Sequence, residues 1–242
     1  MSQLSIKPNP SVPIVVVKEA EDYLAVFKPA GVPTQPGKGH LSDTVLNGLF
    51  AVYGHELQNL GRKRDFGLLH RLDLPVSGVL LVGRTPIGYD QLRSQFVDRE
   101  IEKTYLCLVH GQPKKSGSVE HPIREVRIKG EKTAQLGPHS QAKAASTKYH
   151  LLSSVGHVSL VRCKILTGRL HQIRIHMASL GHPILGDFKY GRRRALDKQL
   201  HRNQIALHAH AIRFKPPNSR RIEQVQSGLP AKLQTFVDRL GL

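Results

Sequence analysis

The stretch LLHRLDLPVSGVLLVGRT, residues 68–85, carries one carboxylate, Asp73, and no other acidic residue stands between Asp65 and Asp90. Asp73 follows Arg71 by two positions and precedes the apolar run GVLLVG, which places it at the mouth of a strand. A carboxylate partly withdrawn from water there needs a cationic partner to stay charged. Held ionised, it can attack an electrophilic carbon or take a proton. The chain has 36 Lys plus Arg against 18 Asp plus Glu, so this group also repels any polyanion it lies beside. That cost points to chemistry on the polyanion and not to binding alone. The simpler alternative, a turn residue or a partner for Arg71, stays open. Arg174, in LHQIRIHMASLG, lies one step round a helix from the apolar Ile173 face, where it can point from the edge of a core into a cleft. An ordinary solvent-facing arginine fits the same spacing. Tyr105 alternates with Leu106 and Leu108 along a strand and shares its face with Lys103 and Cys107, and its alternative is a core tyrosine with a tethered hydroxyl.

Other motifs fall short of their chemistry. GVPTQPGKG has its second phosphate-loop glycine one residue late, and Gly follows the Lys where a magnesium-binding hydroxyl is needed. VSGV lacks the glycine that a nucleophile elbow requires before Ser77. His171 and His176 are five apart where a helix needs four to share one metal, with no acidic third ligand nearby. HRLD has neither the Asn nor the magnesium signature of a kinase catalytic loop. No cofactor or metal is therefore expected.

The net charge of +18 over 242 residues makes nucleic acid the leading partner, because the basic residues are scattered and form no amphipathic membrane helix. Hydrophobic residues at 39% suffice for a buried core, and no segment is long enough to span a bilayer. Cys107 and Cys163 sit singly inside apolar runs and read as buried thiols. With no signal segment in MSQLSIKPNPSVP, a reducing, cytoplasmic setting is expected.

The elements that must position these side chains follow from periodicity. IVVV and YLAVF predict a strand pair, and residues 28–40, with three prolines and three glycines, a shaped loop. Ser42 is placed to cap a helix with Val45, Leu46, Leu49 and Tyr53 on its inner face. GVLLVG predicts a strand buried on both sides, and Thr85–Pro86 opens a helix with Tyr89, Leu92 and Phe96 inward. EKTYLCLVHG predicts a strand, residues 111–146 an exposed hairpin or insertion, and TKYHLL with HVSLVRCKIL a strand pair. A helix with Ile173, Met177 and Leu180 on one face stops at Gly181. GDFKYGRRRA then reads as a basic loop, IALHAHAIRF as a strand and LPAKLQTFVDRL as a closing helix. Strand pairs interleaved with helices predict a mixed α/β (α+β) fold with a largely antiparallel sheet. Residues 1–13 are expected as a flexible extension and 14–242 as one catalytic domain.

Five blocks in order, LAVFKPAGVPTQP, HRLDLPVSGVLLVGRT, REIEKTYLCLVHG, GRLHQIRIHMASLGHPILGD and LHAHAIRF, resemble the RluA-type pseudouridine synthases over roughly residues 14–216. The resemblance implies a bent sheet flanked by helices around a central cleft, without the S4 module that many members carry. It also implies roles. Asp73 matches the essential aspartate that acts at the ribose while the uracil nitrogen–sugar bond breaks. Tyr105 matches the tyrosine that packs on the flipped base and removes the proton from the new bonding carbon. Arg174 matches the arginine that pairs with the aspartate, Leu207 an apolar pocket residue, and Arg71 the side chain that fills the gap left by the extruded nucleotide. His70 and Leu72 flank that arginine and are counted with the substrate-binding residues. VSG in place of TSG, and FKPAG in place of NKPAG, are small departures.

Extruding a uridine needs a cationic surface, a wedge and an aromatic or apolar pocket. Arg62, Lys63, Arg64, Arg192, Arg193 and Arg194 are candidates for gripping phosphate, or are solvated surface. The substrate expected is ribosomal or transfer RNA, chosen by the insertions at 111–146 and 186–204, and the enzyme is expected to be a monomer. The rival is a non-catalytic RNA-binding or ribosome-assembly protein. A metal-dependent nuclease lacks the clustered carboxylates it needs.

Overall fold

The computed structural model describes residues 5–128, 130–200 and 204–242. In chain order these form β1 (Val15–Glu19), β2 (Tyr23–Lys28), α1 (Val45–Leu60), β3 (Ser77–Gly83), α2 (Pro86–Val97) and β4 (Glu102–His110). There follow β5 (Ser116–Val119), β6 (Ile123–Ile128), β7 (Glu131–Leu136), β8 (Thr147–Val155), β9 (Val158–Ile165) and α3 (Gln172–Ser179). β10 (Leu207–Phe214), β11 (Glu223–Gln226) and α4 (Ala231–Leu240) complete the chain. The fold is mixed α and β with mostly antiparallel pairing, as expected. It divides into two compact units. One holds the described residues up to Ile101 with Ala209–Gly228, the other Glu102–His208 with Leu229–Leu242.

In the first unit the strand order is β1-β2-β3-β10, with β11 on β10. Every residue of β3 is buried, which is why GVLLVG reads as an unbroken apolar run. Gly78 has φ +129°, and a Cβ there would come within 2.6 Å of the Ala209 Cβ, so this close approach of β3 to β10 requires glycine. Leu49 and Leu57 of α1 and Leu92 of α2 are sealed from water with Leu80 and Leu81 of β3. The cap of α1 differs from expectation. Thr44, not Ser42, is the N-cap, and it exchanges bonds with Asn47 in a capping box. Ser42 instead accepts, through its carbonyl, from Asn9 Nδ2 at 2.7 Å. Tyr53 breaks the helix at φ −117° and is only half-buried. Thr85 and Pro86 begin α2 as read, with Tyr89 and Leu92 buried but Phe96 partly exposed. Of residues 1–13, expected as a flexible extension, 1–4 lie outside the described residues and 5–13 run beside α1: Asn9 N–H donates to the Asn47 carbonyl at 2.9 Å, and Asn47 Nδ2 to the Lys7 carbonyl at 2.7 Å.

In the second unit the order is β4-β9-β8-β5, antiparallel throughout, with Tyr105 opposite Cys163. Alternation buries Lys103, Tyr105 and Cys107 on one face of β4. The two thiols are free and buried, 3.9 Å apart, and contact with Cys163 followed by burial pushes the Cys107 thiol up. The 111–146 segment is only partly an exposed hairpin. β5 joins the sheet, and the β6–β7 hairpin sinks Ile123 and Ala134 into a cluster with Ala145 and Ile175. α3 is not amphipathic, since residues 172–177 are all buried, and Leu180 lies past its end, 37% exposed. Among the described residues no helix is long and apolar enough to cross a membrane.

Candidate active site

Asp73 heads a tight turn in the first unit, with the Val76 N–H donating to its carbonyl at 3.1 Å. The loop at 28–40 grips this turn. Gly31 N–H donates to the Leu74 carbonyl at 2.8 Å, and the buried Thr34 hydroxyl donates to the Leu72 carbonyl at 3.1 Å while receiving the Leu72 N–H at 3.3 Å. Lys28 is fully buried at the end of β2, and its Nζ reaches the carbonyls of Val76 at 2.7 Å, Pro29 at 2.9 Å and Leu74 at 3.3 Å. Burial draws the Lys28 amine down to about 7, and the negative charge of Asp73 pushes back. An ammonium has three protons for those three carbonyls where a neutral amine has two, so the geometry favours the cation. The half-buried Asp73 is thus carried on a backbone pinned at four points next to a buried cation.

The neighbours of Asp73 take distinct places. Arg71 is exposed, and Leu72 is buried at 7% exposure. His70 Nε2 accepts the Leu81 N–H at 3.0 Å, and its ring lies 5.1 Å from that of Phe96, so it ties the approach segment to β3. In the basic run, Arg64 donates twice to Asp90 at 2.9 Å, while Arg62 and Lys63 are exposed.

Tyr105, Arg174 and Leu207 belong to the second unit, and all three are buried. Arg174 is no solvent-facing helix residue. Its Nε and Nη2 donate to the two oxygens of Asp187 at 2.7 and 2.9 Å, and its guanidinium carbon lies 5.3 Å from the centre of the Tyr190 ring. This fork-to-fork pair fixes the plane of the guanidinium. The Tyr190 hydroxyl receives the Ala134 N–H at 2.9 Å and meets Thr133 Oγ1 at 3.1 Å and His171 Nδ1 at 2.6 Å. Burial raises the Tyr190 phenol, which stays protonated at neutral pH. His171 itself holds a left-handed backbone, φ 52°, at the head of α3. Gln172 spends its amide on Thr167, Arg169, Ser146 and Thr147, which locks the preceding TGR turn. On the Tyr105 face of β4, burial and then the charge of Arg169 draw the Lys103 amine down to about 8.

Sequence analysis gives no role to Lys28, Lys103, Asp187 or Tyr190. For Asp187 a signal was present. It is the one carboxylate between Glu131 and Asp197, as Asp73 is between Asp65 and Asp90.

The RNA pseudouridylate synthase family matches residues 22–179. The chain is 34% identical over 233 residues to a ribosomal large subunit pseudouridine synthase D of Zymomonas mobilis, covering 95% of this chain and 73% of that protein. It is 33% identical over 224 residues to an uncharacterized RNA pseudouridine synthase of Bacillus subtilis, covering 92% and 71%. Among solved structures, human RNA pseudouridylate synthase domain containing 1 shares the fold, with a TM-score of 0.70 at 24% identity over 98% of both chains.

Proposed function

The chain belongs to the RNA pseudouridylate synthase family, RluA type, an isomerase class acting on uridine in RNA, and from that premise we propose that Asp73 is its catalytic carboxylate. The observation that carries the proposal is the turn itself. The backbone that carries the one carboxylate between Asp65 and Asp90 is held by Lys28, Gly31 and Thr34, which bond to the carbonyls of Leu72, Leu74 and Val76 on either side of it. Fixed geometry of this kind is what a group acting on a reacting atom needs.

In this reading a uridine leaves the RNA stack, Arg71 enters the gap, and the base settles against Tyr105 and Leu207. Asp73 attacks the ribose or takes a proton from it as the bond from C1′ to uracil N1 breaks. The base turns, C5 bonds to C1′ as the aspartyl ester breaks or the sugar regains its proton from Asp73, and the C5 proton leaves by way of Tyr105 while N1 takes one up. No atom is gained or lost, and no redox change occurs. Arg174, its plane set by Asp187, holds Asp73 ionised. Arg62, Lys63 and the arginines at 192–194 take phosphates. The name of the Zymomonas relative makes large-subunit ribosomal RNA the first substrate to test, ahead of transfer RNA.

Asp73→Asn is the decisive variant. Pseudouridine mapped across total RNA should vanish at the target uridine when Asp73→Asn replaces the native chain, while affinity for the same RNA is kept. Unchanged pseudouridine would leave a pure RNA binder as the better account.

A further inference from the structure

Among the described residues Phe188 is the one phenylalanine or tyrosine that is exposed, at 51%. It stands in GDFKYGRRR, and the guanidinium of Arg193 lies over its ring, 5.2 Å from the centroid. Arg192, Arg193 and Arg194 are all exposed. The two carboxylates of the segment, Asp187 and Asp197, are buried and engaged. The outward face is therefore cationic and aromatic with no acidic side chain from the loop itself.

The loop is also braced on both sides of the ring. Asp187 binds Arg174, receives the Lys189 N–H at 3.1 Å on its side chain, and receives the Gly191 N–H at 2.9 Å on its carbonyl. Asp197 receives the Gly186 N–H at 2.9 Å and the Arg194 N–H at 2.7 Å, with His110 Nε2 at 2.8 Å. At Gly191 a Cβ would come within 2.8 Å of Pro183, so the chain is packed there as well. A scattered apolar residue on a surface needs no explanation. An aromatic ring kept half in water on a pinned backbone, stacked with one arginine and flanked by two more, has the form of a platform for a nucleobase.

We propose that Phe188 and Arg193 form a stacking site for one unpaired RNA base, with Arg192 and Arg194 on the phosphates beside it. The proposal rests on RNA being the substrate and adds a demand for a single-stranded nucleotide next to the target. A base offers a π-face to the ring whatever its identity, and the phosphates on either side match the arginines. An acidic peptide would satisfy the arginines but gain nothing from the ring.

The test compares wild type, Phe188→Ala, Phe188→Trp and Arg193→Ala by fluorescence anisotropy on a short single-stranded RNA and a blunt RNA duplex of equal length. Phe188→Ala should weaken single-strand binding about tenfold. Duplex binding and the salt dependence of both should be unchanged, since no phosphate contact is lost. Phe188→Trp should restore affinity, and Arg193→Ala should lower single-strand affinity in the same way, with the salt dependence little changed. Phe188→Ala binding like wild type, or losing equally on both RNAs, overturns the platform. The isomerase reading fails separately. If wild type forms pseudouridine but Phe188→Ala changes no binding, only the platform falls. If wild type forms none while Phe188→Ala still discriminates strands, only the isomerase reading falls.

Discussion

Replacing Asp187 with Asn exchanges one carboxylate oxygen for an NH2 group and tests whether Arg174 is held by a carboxylate or merely surrounded by protein. Both side chains are nearly sealed from water, 7% exposed for Arg174 and 1% for Asp187. The wild-type pair makes two parallel bonds of 2.7 and 2.9 Å. An amide keeps one acceptor, turns an N–H toward a guanidinium N–H, and takes the negative charge of Asp187 away from a buried cation. Breaking a buried pair by removing one partner costs about 3–5 kcal/mol, and the retained bond puts this case near 3. A chain of this size loses about 2–4 °C of Tm per kcal/mol, so the variant should melt about 6–12 °C lower. A displaced guanidinium should also slow pseudouridine formation on the order of a hundredfold. The double variant Arg174→Met with Asp187→Leu separates the two effects. Apolar replacement of a buried ion pair is near neutral for stability, so Tm should return to within a few degrees of wild type while activity stays lost. Thermal unfolding followed by circular dichroism, with single-turnover assays on the same samples, reads both. Asp187→Asn melting with the wild type at an unchanged rate, or an active double variant, would refute the reasoning.

Two further outcomes follow from the second unit. Tyr190→Phe removes the oxygen that receives the Ala134 N–H and meets Thr133 and His171, leaving a buried donor unmet at a cost of about 1–3 kcal/mol. Chemical denaturation should show the loss, together with faster hydrogen exchange in β7, and unaltered exchange there would mean that the hydroxyl does not anchor the hairpin. Lys103 titrates near 8 in the folded chain because of burial and Arg169, against about 10.4 when unfolded. Between those values the unfolded chain binds more protons, so stability rises with pH, and the full penalty on the ammonium is present below about 8. The stability of wild type relative to Lys103→Met should therefore climb by up to about 1.4 kcal/mol per pH unit from 8 to 10. A difference that stays flat across that range would place the amine in contact with water.

The strands and helices were legible because their causes are local. The apolar run GVLLVG is most simply a strand covered on both sides, and Thr85–Pro86 carries its own start signal. Where a local rule had two candidates, reading the chain erred. Ser42 and Thr44 both suit an N-cap, and only the presence of Asn47 three residues on, with Asn9 drawing Ser42 away, decides for Thr44. Tyr53 fits a helical face by spacing, but the backbone departs from the helix at that residue. Leu180 fits the period of α3, yet the helix ends before it.

The amino-acid order by itself determined the family, the mixed α/β class with antiparallel strand pairs, and the lone Asp73, because short motifs and periodicities are written in consecutive residues. Only the tertiary structure decided what each charge meets. Lys28 reaches the turn of Asp73 across 46 and 48 positions, Tyr190 reaches the β6–β7 hairpin across 56, and Asp187 closes on Arg174 from a loop that reads as merely basic. Such partners are set by the folded path of the chain, and a buried polar group takes whichever counterpart that path delivers.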